Sequence, residues 1–135
     1  METIGYCRVS TDDQSIANQQ MQIEEAGYNI AKWFTDEAVS GSVKASSRDG
    51  FSRLLAYARE GDTVVVVAVD RLGRDTIDVL STVKALQAKG VRVVSLREGF
   101  DLSTPIGEAM LGIMSTLAQL ERSLIAERRK AGIER

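Results

Sequence analysis

The 135-residue sequence contains no histidine, one cysteine and one proline. The lack of histidine excludes a serine–histidine–aspartate triad, and with a single cysteine it also excludes the usual zinc-ligand spacings. One cysteine cannot form an internal disulfide framework. Because Cys7 lies inside an apolar segment, we interpret it as a small core residue rather than a nucleophile. A reducing, cytoplasmic location is the expectation.

The sequence also lacks an apolar run of membrane-spanning length, and its N-terminus has no secretory signal pattern. No membrane partner is therefore expected. An excess of positive charge is missing too, since 17 Lys and Arg stand against 19 Asp and Glu, for a net charge of −2. Non-specific affinity for DNA comes mostly from neutralising phosphates, so such a domain should hold a duplex only weakly by itself. The 44% of hydrophobic residues suffice for the core of one domain.

Strand and helix patterns alternate along the first hundred residues. Short apolar stretches predict strands at 3–9, 30–35, 64–69 and 91–96, and periodic segments predict helices at 14–26, around 51–58 and from near Arg71 to Lys89. Strands that alternate with helices imply βαβ units. The predicted fold class is therefore α/β, a three-layer sandwich around a mostly parallel sheet. The polar loop at 36–49 is long enough to be functional or mobile.

The last third of the sequence predicts one long helix that begins at Pro105. About 26 helical residues would span about 39 Å and project beyond a compact domain. The first half of this helix is expected to lie on the core. For the second half we favour a subunit interface over a core position, because an unpartnered apolar seam would be exposed. The seam consists of Ile106, Met110, Ile113, Leu117, Leu120 and Leu124, and Met114 and Ile125 beside it widen the apolar surface.

A serine and an arginine stand two residues apart at the end of the first predicted strand. Because strand side chains alternate, Arg8 and Ser10 emerge on the same face. This pair suits attack on a phosphate, since the serine offers an oxygen and the arginine neutralises the phosphoryl charge. The alternative is a strand end that runs into a polar turn.

A second charged segment, 70–75, follows the strand predicted at 64–69, which reads as buried on both faces. Ligands bind at the carboxyl ends of strands in open parallel sheets. If a helix begins near Arg71, then Arg71 and Arg74 share a face, and Asp70 can hold a guanidinium through a bidentate pair. The alternative is a solvated charged turn. Carboxylates are too sparse at the two strand ends for a two-metal nuclease, so no metal is expected.

Together these segments resemble the catalytic domain of the serine site-specific recombinases, the resolvases and DNA invertases. The resemblance covers nearly the whole chain in the order of the family. It implies a catalytic domain at 1–103 and an interface helix at 104–135 that leads toward a DNA-binding domain absent from this sequence. The segments that carry the resemblance are 5–14, 39–41, Arg48, 70–75 and 117–128.

The resemblance also implies a mechanism without cofactors. Ser10 attacks a DNA phosphodiester, forms a 5′-phosphoserine link and releases a 3′-hydroxyl, and rejoining needs no ATP because one phosphodiester replaces another. Asp70 orients the arginines and is one candidate to accept the serine proton, although the base for this step is open. The arginines stabilise the phosphoryl charge, Arg48 joining from the 36–49 loop, and Gln19 matches a polar position near the site. The implied catalytic residues are Ser10, Arg8, Arg71, Arg74, Asp70, Arg48 and Gln19.

The partners implied by the resemblance are double-stranded DNA and further copies of the chain, as a homodimer that becomes a tetramer when two sites synapse. The residues expected to meet DNA are Arg122, Arg128, Arg129 and Lys130, with solvated helix charges as the alternative for the last two. Two other functions stay open from the sequence. One is a catalytically inactive DNA- or partner-binding module of the same family, and the other is a phosphohydrolase acting on a small phosphoester.

Overall fold

Strands and helices alternate in the computed structural model, which describes residues 1–9, 15–37, 39, 43–73 and 75–133. The strands are β1 (Thr3–Arg8), β2 (Lys32–Asp36), β3 (Thr63–Val66), β4 (Arg92–Ser95) and β5 (Phe100–Asp101). The helices are α1 (Ile16–Glu25), α2 (Asp49–Tyr57), α3 (Thr76–Ala88) and α4 (Pro105–Ile133).

The strands form one sheet in the order β2-β1-β3-β4-β5. The first four are parallel to their neighbours, and β5 pairs with β4 in the antiparallel direction. The predicted α/β class and mostly parallel sheet are therefore confirmed. The strand β5 was not predicted, because two residues are too few to show an alternating pattern.

Helices cover both faces of the sheet. Val64 belongs to an apolar cluster that includes residues of α2 and α3 and the buried Leu111 of α4. Its neighbour Val65 belongs to a second cluster, on the opposite face, with Ile23 of α1. Because successive residues of β3 enter different clusters, the strand is buried on both faces, and the three predicted layers are present.

The segment after β3 differs from the prediction. Val69–Leu72 forms a 3-10 turn, and α3 begins only after Asp75, whose Oδ1 accepts a hydrogen bond from the Asp78 N–H at 2.8 Å. The apolar run outlasts the strand because Val69 leaves the sheet and packs into the core, where it is 5% exposed. The prediction that a helix begins near Arg71 is therefore wrong.

The long helix α4 begins at the predicted Pro105, with the Thr104 Oγ1 accepting a hydrogen bond from the Gly107 N–H at 3.1 Å. Leu111 is fully buried, and the half-buried Met114 packs against the same core cluster. The apolar seam predicted from the sequence begins at Ile106, on the same first half of the helix, and lies on the surface. Among the described residues, no helix is long and apolar enough to cross a membrane.

Candidate active site

The carboxyl ends of β1, β2 and β3 lie side by side because these strands are parallel neighbours. In the pairing of β1 with β2, Arg8 lies opposite Asp36. In the pairing of β1 with β3, Gly5 lies opposite Val65. The chain therefore leaves β1 beside the point where it leaves β3 toward Arg71, and both predicted motifs belong to one edge of the sheet.

Two predicted catalytic residues, Ser10 and Arg74, lie outside the described residues, as does the side chain of Lys130. Their roles stay predictions. The described residues include the other members of the predicted catalytic set, which are Arg8, Gln19, Arg48, Asp70 and Arg71.

Arg8 is held at the end of β1 by residues from two other segments. Its side chain is 6% exposed, and its Nη1 donates a hydrogen bond to the Val39 carbonyl oxygen at 2.7 Å. Gln19 lies on α1, is fully buried, and donates from Nε2 to the Arg8 carbonyl oxygen at 2.9 Å. Gln19 therefore contacts the first motif, where it fixes the main chain, and its place at a catalytic site stays a prediction.

Arg71 lies in the 3-10 turn, and it is 8% exposed. Its Nε is 3.8 Å from Oδ1 of Asp70, which is within ion-pair range but beyond hydrogen-bond distance. The other carboxylate oxygen, Oδ2, accepts a hydrogen bond from Arg97 Nη1 at 3.3 Å. The Asp70 carboxylate is thus shared between two guanidinium groups, rather than engaged in the bidentate pair that the sequence predicts.

Arg48 is brought to the same edge. The residue directly precedes α2, at the end of the segment predicted as the 36–49 loop, and it is 1% exposed. Its Nη1 donates to the Arg71 carbonyl oxygen at 2.6 Å, and its Nε donates to the Val43 carbonyl oxygen at 3.0 Å. Arg48 therefore ties the segment before α2 to the 3-10 turn.

Asp36 is a buried carboxylate at this edge that the sequence reasoning missed. It is 4% exposed and accepts three hydrogen bonds: from the Tyr6 hydroxyl at 2.7 Å, the Gly50 N–H at 2.7 Å and the Phe51 N–H at 3.1 Å. Burial, followed by the bond to Asp36, raises the pKa of Tyr6, so the phenol stays protonated and donates. One signal was available in the sequence, because Asp36 is a carboxylate at the end of β2, the strand that pairs with β1.

A close approach of α2 to β2 makes these bonds possible. A Cβ added to Gly50 would lie 2.2 Å from the Thr35 carbonyl oxygen, so only glycine fits there. The first N–H groups of a helix have no partner within the helix. The Arg48 side chain forms no cap bond, and Asp36 supplies the missing acceptor from the neighbouring strand.

Asp78 provides a similar link on α3. Its carboxylate is 6% exposed and accepts a hydrogen bond from the Ala45 N–H at 2.9 Å. The segment that precedes Arg48 is therefore fastened to α3. The sequence analysis missed this residue as well, since an aspartate in the first turn of a helix is ordinarily explained by its favourable interaction with the helix dipole.

Cys7 lies next to Arg8 but faces the other side of the sheet, in the cluster with Ile23. Burial raises the pKa of Cys7 to about 12, and the charge of Arg71 acts in the opposite direction. The thiol is therefore protonated and unreactive at neutral pH, which agrees with the predicted core position. Across the described residues, no group of three or more Cys, Asp and Glu could hold a metal ion.

The exposed face of α4 carries most of the predicted interface residues. Those that are at least 40% exposed are Ile106, Met110, Ile113, Leu117, Leu120 and Leu124. Arg128 and Arg129 are exposed as well. Arg122 Nη2 donates to Oδ2 of Asp75 at 2.9 Å, and its contact with DNA stays a prediction.

Comparison with known proteins decides the family. The model of the resolvase N-terminal domain matches residues 3–135. The chain belongs to the resolvase family. The resemblance seen in the sequence is therefore confirmed, and it extends over nearly the whole chain.

Relatives of this resolvase-family chain have similar sequences and folds. Serine recombinase PinQ of Escherichia coli K12 is 42% identical over 99% of this chain and 69% of its own length. The transposon Tn2501 resolvase of Escherichia coli is also 42% identical, over 97% of this chain and 69% of its own length. Among solved structures, the N-terminal catalytic domain of TP901-1 integrase matches 91% of this chain and 98% of its own, with 29% identity and a TM-score of 0.69.

Proposed function

We propose that this chain is a site-specific DNA recombinase that cleaves and rejoins DNA through Ser10. One observation carries the proposal: Arg8 ends β1, Arg71 lies in the turn that follows the neighbouring strand β3, and Ser10 comes two residues after Arg8 in the sequence. The relatives are named serine recombinases, resolvases and DNA invertases, which are enzymes that act on DNA strands.

The reaction exchanges one phosphodiester for another. The Ser10 oxygen forms a bond to phosphorus while the bond from phosphorus to the 3′-oxygen breaks. The serine proton passes to a base, and the departing 3′-oxygen takes up a proton. Rejoining is the reverse, with a 3′-hydroxyl attacking the phosphoserine, so no nucleotide triphosphate is consumed.

The arginines are proposed to stabilise charge on the phosphoryl oxygens, and their fixed planar groups suit this task. Arg8 and Arg71 are both held near the sheet edge, and Arg74 follows Arg71 closely in the sequence. Arg48 contacts the main chain of Arg71 and would reach a phosphate only by giving up its two carbonyl bonds. Asp70, which lies beside Arg71, is a candidate to take the serine proton.

The exposed seam of α4 supports assembly of two copies, with a tetramer during synapsis. Leu117 and Leu120 are each 55% exposed, and burying such side chains is favourable by about 25 cal/mol per Å² of apolar surface. In the same proposal, residues 1–103 are the catalytic domain and 104–135 form the interface helix. Arg128 and Arg129 are exposed near its end and are proposed to meet the DNA backbone.

The test is formation of a covalent protein–DNA adduct. Duplexes from a randomised library that become linked to the wild-type chain are isolated under denaturing conditions, and the selected duplex becomes the substrate. Ser10→Ala should form no adduct, whereas Ser52→Ala should form as much as the wild type, because Ser52 is exposed on α2. An adduct that persists with Ser10→Ala, or a wild-type chain that captures no duplex, would contradict the proposal.

A further inference from the structure

The turn that joins β4 to β5, residues 96–99, packs against the 3-10 turn that carries Arg71. The Leu96 N–H donates to the Val66 carbonyl oxygen at 3.0 Å, and the Arg97 N–H donates to the Val67 carbonyl oxygen at 2.8 Å. The pairing of β3 with β4 therefore continues past both strands. This fixes the 96–99 turn relative to the sheet edge.

Two side chains of the 96–99 turn contact the 3-10 turn. Glu98 Oε1 accepts a hydrogen bond from the Val69 N–H at 3.2 Å, and it also accepts one from the Ser95 hydroxyl. Arg97 Nη1 donates to Asp70 Oδ2 at 3.3 Å. Neither Arg97 nor Glu98 has a part in the chemistry described above.

We propose that Glu98 and Arg97 are positioning residues for Arg71, an inference that rests on the proposed recombinase function. Glu98 holds the first N–H of the 3-10 turn through a bond to a charged acceptor, which is stronger than a neutral one. Arg97 holds the Asp70 carboxylate, which in turn lies 3.8 Å from Arg71 Nε. Both contacts act on the segment that presents Arg71, and neither residue needs to touch DNA.

The 3-10 turn is fixed at both of its ends. At its start, Glu98 accepts a hydrogen bond from the Val69 N–H. Near its end, the buried Arg48 donates a hydrogen bond to the Arg71 carbonyl oxygen at 2.6 Å. Catalysis is sensitive to such placement, because an error of about 1 Å in a reacting group costs on the order of 100-fold in rate. Loosening one end of the turn should therefore slow the chemical step without weakening the binding of DNA.

The first test compares Glu98→Ala with Glu98→Gln in the single-turnover rate of adduct formation on the duplex captured by the wild-type chain. The amide oxygen of glutamine can still accept both hydrogen bonds, so Glu98→Gln should stay within about threefold of the wild type, while Glu98→Ala should be slower by about tenfold or more. The affinity for the duplex should be unchanged in both. Arg92→Ala is the control, because it removes the ion pair with Asp101 (2.6 Å) elsewhere in the same hairpin.

The outcomes separate this inference from the proposed function. The function fails if the wild-type chain forms no adduct. The positioning role is overturned if the wild type is active and Glu98→Ala keeps its rate, if Glu98→Gln is as slow as Glu98→Ala, or if Arg92→Ala lowers the rate as much as Glu98→Ala does.

A second test concerns Arg97, whose side chain is exposed and whose replacement should leave the fold intact. Arg97→Ala should slow adduct formation about threefold in the wild-type background and have no effect when Asp70 is already replaced by Ala, which removes the acceptor, because residues that act through one contact are not additive. Equal effects of Arg97→Ala in the two backgrounds, or no effect in either, would overturn the role of Arg97.

Discussion

Replacing Asp36 by Ala should destabilise the fold more than any exposed carboxylate could. The substitution removes the acceptor of three hydrogen bonds and leaves the Tyr6 hydroxyl and the Gly50 and Phe51 N–H groups buried at the junction of β1, β2 and α2. A buried donor without its partner costs about 1–3 kcal/mol. Water that enters the vacated space reduces this penalty, so we expect a total loss of about 3 kcal/mol in the free energy of unfolding.

The measurements are urea-induced and thermal unfolding, both monitored by circular dichroism. A loss of about 3 kcal/mol corresponds to a melting temperature lower by roughly 10 °C for a domain of this size. The control is Asp49→Ala, which removes a carboxylate from the first turn of α2 that is 79% exposed and bonded to Arg53 at 3.2 Å. This control should lose less than about 0.5 kcal/mol. A loss below about 1 kcal/mol for Asp36→Ala would refute the reasoning.

Three further predictions concern α4 and the β4–β5 hairpin. Leu120→Asp should weaken the proposed dimer by several kcal/mol because it buries an unpaired charge, whereas Gln119→Asp should not. Sedimentation of both variants at matched concentrations checks this, and they would sediment alike if the seam is no interface. Arg122→Ala should cost less than about 1 kcal/mol in thermal unfolding, because its pair with Asp75 is half-exposed; a loss above about 2 kcal/mol would contradict this. Asp101 has a lowered pKa, since hydrogen bonds outweigh the effect of burial. It therefore stabilises the fold above the unfolded pKa of about 4, and this stabilisation is lost as pH falls through the folded pKa. The free energy of unfolding should depend less on pH in the acid range for Asp101→Asn than for the wild type, and an unchanged dependence would contradict this.

Periodic elements could be predicted from the sequence, whereas places where the chain leaves an element could not. The spacing of apolar residues predicted α4 and its start at Pro105, because a helix repeats its pattern over many turns. The same reasoning extended β3 through Val69, although the strand ends at Val66. Val69 is apolar because it packs into the core from a 3-10 turn, and apolarity alone does not distinguish the two positions.

The candidate site shows the same division. The placement of Arg8 and Arg71 at one edge of the sheet could be predicted, because Arg8 ends one apolar strand and Arg71 follows another. Asp36 and the buried state of Arg48 could not, since their partners come from segments far apart in the sequence. The contacts of Glu98 and Arg97 with the 3-10 turn likewise exist only after β4 has paired with β3.

The order of the strands along the chain determines when, during synthesis, the candidate active site can be completed. A nascent polypeptide that ends within β3 already contains Ser10 and Arg8, yet it lacks Arg71 and the turn that braces it. Contacts between distant parts of a chain form late and slowly in folding. A ribosome-bound or prematurely terminated chain would therefore carry Ser10, the proposed nucleophile, without Arg71, one of the arginines proposed to stabilise the phosphoryl charge. Unfinished molecules should therefore be poorer at cleaving the cell's DNA than complete ones.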